Sequence, residues 1–155
     1  MDSEVSITTH SNIKRGVKEV CKIKWQRQWD VSDSGRVFHS LKPSIDEKSL
    51  FDYPNRKMFC QIEQLRMRYT QLNKYLHQIG VKDSPLCECG SPETVEHYLL
   101  NCERYFDSRE SMRTKIFNTI GEAELTLNLL LRHSDFLKVI SDILSDFIIE
   151  SNRFQ

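Results

Sequence analysis

The stretch Ser84-Pro85-Leu86-Cys87-Glu88-Cys89-Gly90-Ser91-Pro92-Glu93-Thr94-Val95-Glu96-His97-Tyr98-Leu99-Leu100-Asn101-Cys102 decides how the rest of the chain is read. It holds three of the five cysteines and one of the five histidines, in the order C-x-C-x7-H-x4-C. Three thiolates and one imidazole are the donor set that a tetrahedral structural Zn2+ prefers, and four protein ligands leave no open position for water. Cys87, Cys89, His97 and Cys102 are therefore the candidate metal ligands, and structural zinc is the expected cofactor. On the residues alone, the alternative is three ordinary thiols and a histidine near a helix end.

The spacing makes a geometric demand. In an extended segment Cys87 and Cys89 point to one side, and Gly90 lets the chain turn because it tolerates positive φ. Ser91-Pro92-Glu93 then reads as a helix start, with a capping side chain, proline in the first turn and an acid facing the dipole. On an ideal helix Cys102 would be rotated by about 140° from His97. It can join the cluster only if the helix loosens or ends near Asn101, a residue suited to a left-handed exit.

Upstream, Ile13, Val17, Cys21, Trp25 and Trp29 recur at four-residue steps and predict one ridge of an α-helix, with both tryptophans in a core. Residues 1–12 are polar and aperiodic, a loose leader. Asp30 to Gly35 carry turn chemistry, Arg36–Leu41 suit a short extended piece closed by Pro43, and a polar link runs to Asn55. Arg56 to Tyr69 predicts a second helix with Phe59, Ile62, Leu65 and either Met58 or Tyr69 on its apolar side. Helical spacing continues to Gly80, a C-cap. Cys21 and Cys60 stand alone in helical patterns and are expected as small core residues.

Downstream, Tyr105, Phe106, Met112, Ile116 and Ile120 keep helical spacing up to Gly121, followed by a leucine-rich stretch over 125–131. In the last helix Phe136, Ile140, Ile143 and Phe147 form a stripe that Leu137, Leu144 and Ile148 widen. So wide an apolar face must be buried, in its own domain or against a partner. The fold class expected is mostly α: a small helical domain with one short extended segment and a zinc-knuckle-like Cys3His turn. Its segments are a leader (1–12), a basic helical segment (13–80), the Cys3His element (81–103) and C-terminal helices (104–155).

The 155 residues carry 22 basic and 22 acidic side chains, are 39% hydrophobic and 28% charged, and include only 5 Gly and 4 Pro. Such a chain is too apolar for disorder and too short for a multi-domain enzyme. No apolar run reaches the roughly 18 residues of a membrane span. Met1-Asp2-Ser3-Glu4 has neither the basic start nor the apolar stretch of a secretory signal, so an intracellular, reducing setting is expected. The neutrality is local cancellation. Residues 1–80 hold 14 basic and 9 acidic side chains, and residues 81–155 hold 8 and 13. The basic half contains Lys14, Arg15, Lys18 and Lys22 on the first helix and Arg56, Lys57, Arg66 and Arg68 on or near the second. These are the candidate phosphate contacts of a nucleic-acid surface; the bland alternative is a solvated face. No Gly-rich phosphate loop, G-x-S-x-G or H-E-x-x-H is present.

Four runs are distinctive in combination: Gln64-Leu65-Arg66, Leu72-Asn73-Lys74-Tyr75-Leu76-His77-Gln78-Ile79-Gly80, Ser84 to Gly90, and Glu93 to Cys102. With Trp25, Trp29, Gly35-Arg36, Pro43 and Arg153-Phe154, the series resembles the C-terminal region of non-LTR, LINE-type (Jockey-like) retrotransposon polyproteins. The resemblance spans roughly residues 13–154 and departs at Met67-Arg68-Tyr69, where a Thr-Gly-His-like stretch is common. It implies a zinc-knuckle-like, nucleic-acid-associated tail following an RNase H domain, with Cys87, Cys89, His97 and Cys102 as ligands. It also implies a fragment without reverse transcriptase, endonuclease or RNase H activity of its own. RNA or DNA, and the reverse-transcriptase domains of the same element, are the partners it implies. The reading from another class is a protein-interaction or oligomerisation module that uses the 135–150 face and holds a purely structural zinc.

Overall fold

The computed structural model describes residues 10–45, 55–122, 124–132 and 136–154. Residues 1–9 of the expected leader and most of the polar link before Asn55 lie outside these. The chain divides into two compact units, Met1–Glu47 and Lys48–Gln155, so the boundary falls inside the stretch read as one basic segment. Among the described residues the fold is helical and has no sheet, with one isolated antiparallel bridge between Leu86 and Pro92.

The first unit contains α1 (His10–Val31) and α2 (Arg36–Leu41). Residues 10–12 are thus helical rather than part of a leader, and Arg36–Leu41 is a helix rather than an extended piece. Gly35, at φ 70°, turns the chain, and the Arg36 guanidinium donates to the carbonyls of Trp29, Asp30 and Ser32 at 3.3, 3.0 and 2.7 Å. These are the orphan acceptors of the α1 C-terminus, which favour a cation. Trp29 lies against Phe38 and His39, and its indole N–H donates to the Lys42 carbonyl at 3.0 Å. His39 meets Asp30 at 3.1 Å; this hydrogen bond, with another from Gln26, holds the Asp30 carboxyl below its usual range.

The four-step ridge marks the helix correctly and its burial wrongly. Ile13, Val17, Cys21 and Trp25 are exposed, and no α1 residue is fully buried. Within this unit α2 and residues 42–45 hydrogen-bond to the last turns of α1, at Gln26, Trp29 and Asp30.

The second unit is built from α3 (Arg56–Met67), α4 (Asn73–Gln78), α5 (Phe106–Ile120), α6 (Leu127–Leu131) and α7 (Leu137–Ser151). Asn55 caps α3, its side-chain oxygen accepting from the N–H groups of Lys57 and Met58 at 3.0 and 3.3 Å. Thr126 caps α6 in the same way through Leu129. Gly80, at φ 75°, ends α4 as expected: the Gly80 N–H returns to His77 and the Val81 N–H to Leu76.

α7 packs along α5 and is joined by α3 and α6. Ile62 and Leu65, Met112 and Ile116, Leu130 and Leu131, and Ile140, Leu144, Phe147 and Ile148 meet there as buried side chains. Each such Leu or Ile contributes about 1.5–3 kcal/mol by burial. That packing holds the five-residue α6, which would not survive alone in water. Among the described side chains the apolar face of α7 is thus buried in its own unit, with Phe136, Val139 and Ile149 left exposed; the Leu137 side chain lies outside those described. Phe59 is half-buried, while Tyr69 and Cys60 face outward, against the expectation of core positions.

Arg66 needs a larger correction. It is completely buried: Nε donates to the Leu131 carbonyl at the end of α6 (3.0 Å), and the guanidinium bonds Glu63 and Ser141. It ties α3 to α6 and α7 and offers nothing to a phosphate.

Candidate metal centre

Leu86 to Pro92 form a miniature hairpin. The Cys87 N–H donates to the Ser91 carbonyl at 2.8 Å and the Gly90 N–H returns to the Cys87 carbonyl at 2.9 Å, with Gly90 at φ 88°. A residue with a Cβ would be strained at that φ. Pro92 belongs to this hairpin, not to a helix. The following helix starts at Val95, three residues later than Ser91 would place it, and its cap is Thr94: Oγ1 accepts the His97 N–H at 3.0 Å. Glu93 is therefore not a dipole partner but a buried carboxylate.

The turn that carries the last two donors is not α-helical. Over His97–Asn101 the chain winds as a π-helix, and the Cys102 N–H donates to the His97 carbonyl at 2.7 Å. An i→i−5 bond makes one turn span five residues, so Cys102 returns over His97 instead of pointing about 140° away. The loosening expected near Asn101 is present, but by π winding and an extended Cys102 (φ −66°, ψ 122°), with no left-handed residue at Asn101.

The four donor atoms of Cys87, Cys89, His97 and Cys102 lie within 4.8 Å of one another. Cys87 Sγ is 3.7 Å from Cys102 Sγ, Cys102 Sγ is 3.9 Å from Cys89 Sγ, and Cys89 Sγ is 3.1 Å from His97 Nε2. A regular tetrahedron with Zn–S near 2.3 Å and Zn–N near 2.0 Å has S···S edges of about 3.8 Å and S···N edges of about 3.5 Å. The sulfur edges fit, and the sulfur–nitrogen edge is a few tenths of an ångström short. Nε2 is the imidazole atom turned to the cluster. Cys87 and Cys102 are buried, His97 is half-buried and Cys89 is exposed.

Burial pushes the Cys102 thiol up to about 12, and its Cys87 and Cys89 neighbours add to the rise. Cys89 is held below the usual thiol value, chiefly by a hydrogen bond with the Ser91 backbone. Three thiols this close cannot all ionise without a compensating cation. A bound Zn2+ supplies that charge and keeps them as thiolates. The cluster is geometrically suited to a structural Zn2+, and with four protein donors it is of the closed, non-catalytic kind.

Two supports were not apparent from the spacing. Arg109, buried on α5, donates from Nε to the Leu99 carbonyl at 3.1 Å and from Nη2 to the Cys102 carbonyl. It satisfies acceptors that the π turn leaves open. Its signal was available: Arg109 shares a helical ridge with Met112 and Ile116, where a charge must be paired. The second support is Arg153, which binds the Glu93 carboxylate; Glu93 also accepts the Asn73 N–H at 2.7 Å. Arg104 and Glu88 pair at 2.8 Å on the surface beside the hairpin, a contact worth little by itself.

The proposed phosphate contacts are divided between the two units. Lys14, Arg15 and Lys18 are exposed on α1, Lys22 is half-buried there, and Arg56 and Lys57 are exposed at the start of α3. Arg68 is exposed just past the α3 C-terminus, and Arg66 is buried. Among the described residues no helix is long and apolar enough to cross a membrane.

Fold and centre together define a small helical module organised around a Cys3His structural-zinc geometry. The chain is 33% identical over 113 residues to a retrovirus-related Pol polyprotein from the type-1 retrotransposable element R1 of Bradysia coprophila. It is 27% identical over 115 residues to an R1 Pol polyprotein of Nasonia vitripennis, and 33% identical over 98 residues to the putative 115 kDa protein of the R1DM element of Drosophila melanogaster. These matches cover 70%, 73% and 59% of this chain but only 11%, 29% and 9% of the relatives. They associate the chain with the R1-type non-LTR retrotransposon Pol polyproteins. No family model matches the chain, and no solved structure does.

Proposed function

We propose that this chain is a non-catalytic, zinc-stabilised tail module of a non-LTR retrotransposon Pol protein, and that it holds RNA or DNA near the catalytic domains. The observation that carries the reading is the closed Cys3His centre, four donors within 4.8 Å, in a chain similar to R1 Pol polyproteins. The zinc fixes the hairpin and π turn as a rigid knuckle. Lys14, Arg15, Lys18 and Lys22 on α1, with Arg56, Lys57 and Arg68 in the second unit, supply phosphate contacts.

The test is binding of the zinc-loaded chain to single-stranded RNA and DNA across a salt series. The reading expects affinity that falls as salt rises, with a slope reduced by about one for each phosphate contact removed. Absence of binding at every salt by a folded, zinc-loaded chain contradicts the nucleic-acid role.

One observation favours the interaction reading, and it lies on α1 rather than on the 135–150 face. Ile140, Ile143 and Phe147 of the α7 stripe are buried within their unit, whereas Ile13, Val17, Val20 and Trp25 leave an apolar surface exposed on α1. Self-association abolished by Val17→Glu with Trp25→Ala, and unaffected by nucleic acid, would favour a protein partner instead.

A further inference from the structure

A cleft of about 290 Å³ opens beside the knuckle, between the α3–α4 turn, α4 and the strip from Glu93 to Glu96. Its frame is fixed. Thr70, Leu72, Glu93 and Val95 are buried, the Thr70 hydroxyl accepts the Leu72 N–H at 3.0 Å, and the Lys74 N–H reaches the Glu93 carbonyl at 3.3 Å. The Glu93 carboxylate is already neutralised by Arg153.

Two cations line this cleft, Arg68 and Lys74, both exposed. Neither has a carboxylate partner among the described residues, which leaves both charges available to a ligand. Arg68 also sits at φ 60°. Glycine ends helices there without strain, so a long cationic side chain held in that conformation points to use of the side chain. Tyr75 lines the same cleft, half-buried, with the exposed Tyr69 ring tilted against it at 5.5 Å between centroids. Aromatic faces beside unpaired cations are the equipment for single-stranded nucleic acid, whose bases stack while the backbone is neutralised. A duplex hides its base faces and gains nothing from such a site. Glu96, also on the lining, repels phosphate. It therefore belongs to the base edge, where a carboxylate accepts from an exocyclic amine such as cytosine N4.

We propose that this cleft holds one nucleotide of a single-stranded nucleic acid, with Arg68 and Lys74 on the phosphate, Tyr75 stacked on the base and Glu96 accepting from its amino group. The proposal rests on the nucleic-acid reading above and locates its base contact in the second unit.

The test uses the full, zinc-loaded chain and fluorescence anisotropy with 12-nucleotide oligo(rC), oligo(rU), oligo(dC) and a 12-base-pair duplex. Single strands should bind more tightly than the duplex, and oligo(rC) more tightly than oligo(rU). The tighter of oligo(rC) and oligo(dC) identifies RNA or DNA as the source of the strand. Tyr75→Leu and Arg68→Gly should each weaken binding about tenfold, whereas Tyr75→Phe should not. Arg68→Gly should unfold at no lower urea concentration than the parent, because glycine adopts that φ freely, which separates lost binding from lost structure. Lys14→Gln with Lys18→Gln should change salt dependence without changing the preference for oligo(rC). If the parent binds these strands but Arg68→Gly and Tyr75→Leu bind equally well, or if the duplex binds as tightly, the cleft assignment is overturned while the broader reading stands. If the parent binds nothing, both fall.

Discussion

Arg153 closes on Glu93 across 60 residues through two hydrogen bonds, Nε to Oε1 at 2.7 Å and Nη2 to Oε2 at 2.6 Å. One partner follows the last helix and the other lies inside the knuckle, so the pair ties the chain's end to the metal centre. The Glu93 side chain is 2% exposed and that of Arg153 21%. Removing only the arginine strands a buried carboxylate. Arg153→Met should therefore destabilise the second unit by about 2–4 kcal/mol, and Glu93→Gln combined with it should cost less than the two changes summed. Urea titrations of the three variants check this.

The same pair sets an acid limb. Burial raises the Glu93 carboxyl pKa, but the Arg153 hydrogen bond and the Asn73 N–H outweigh it, leaving the net value below the usual glutamate range. Its stabilisation is then fully present above the unfolded value, about 4.3, and is lost as pH falls through the lower folded value. Urea midpoints of the parent should fall on acidification below about pH 4.5, and Arg153→Met should show a shallower fall.

Arg109 is the test of the π turn. Arg109→Met leaves the Leu99 and Cys102 carbonyls without their donor. A loss of about 2–4 kcal/mol is expected, and zinc affinity should drop about 10- to 100-fold although no ligand is touched. Competition with a chromophoric chelator measures the second effect. Unchanged affinity would mean the turn holds its shape without the arginine.

Thiol accessibility separates the five cysteines. Cys21 and Cys60 are exposed and Cys87 and Cys102 buried. In the folded, zinc-loaded chain, iodoacetamide should modify Cys21 and Cys60 first, with the other three protected until a chelator is added. Mass spectrometry of peptides reads the order. Early modification of Cys89, which is exposed, would show that it does not hold the metal.

The ligands were legible because donor chemistry is written in residue types: three cysteines and a histidine in a short, turn-rich run need no tertiary information. The helices were legible from periodicity, and their partners were not. The ridge of Ile13, Val17, Cys21 and Trp25 has helical spacing yet remains exposed, since spacing records a helix face without recording what covers it. Arg36–Leu41 reads as extended because Val37 and Phe38 favour strands. Gly35 and the hydrogen bonds of Arg36 to the end of α1 decide otherwise. Charge alone groups Arg66 with the surface cations. Its place between Ile62, Leu65 and the α6 carbonyl is a tertiary fact. The π turn likewise coincides with tertiary features, the donor cluster and the Arg109 hydrogen bonds to the Leu99 and Cys102 carbonyls, that local propensity does not record.

Metal content and coordination test the Cys3His centre most directly. Elemental analysis of the purified chain, with X-ray absorption at the zinc edge, should find one zinc per chain bound by three sulfurs at about 2.3 Å and one nitrogen at about 2.0 Å. Cys102→Ser should lose both the metal and cooperative unfolding of the second unit. A chain that purifies without metal, takes up no zinc when it is supplied, and melts identically with and without Cys102 would contradict it.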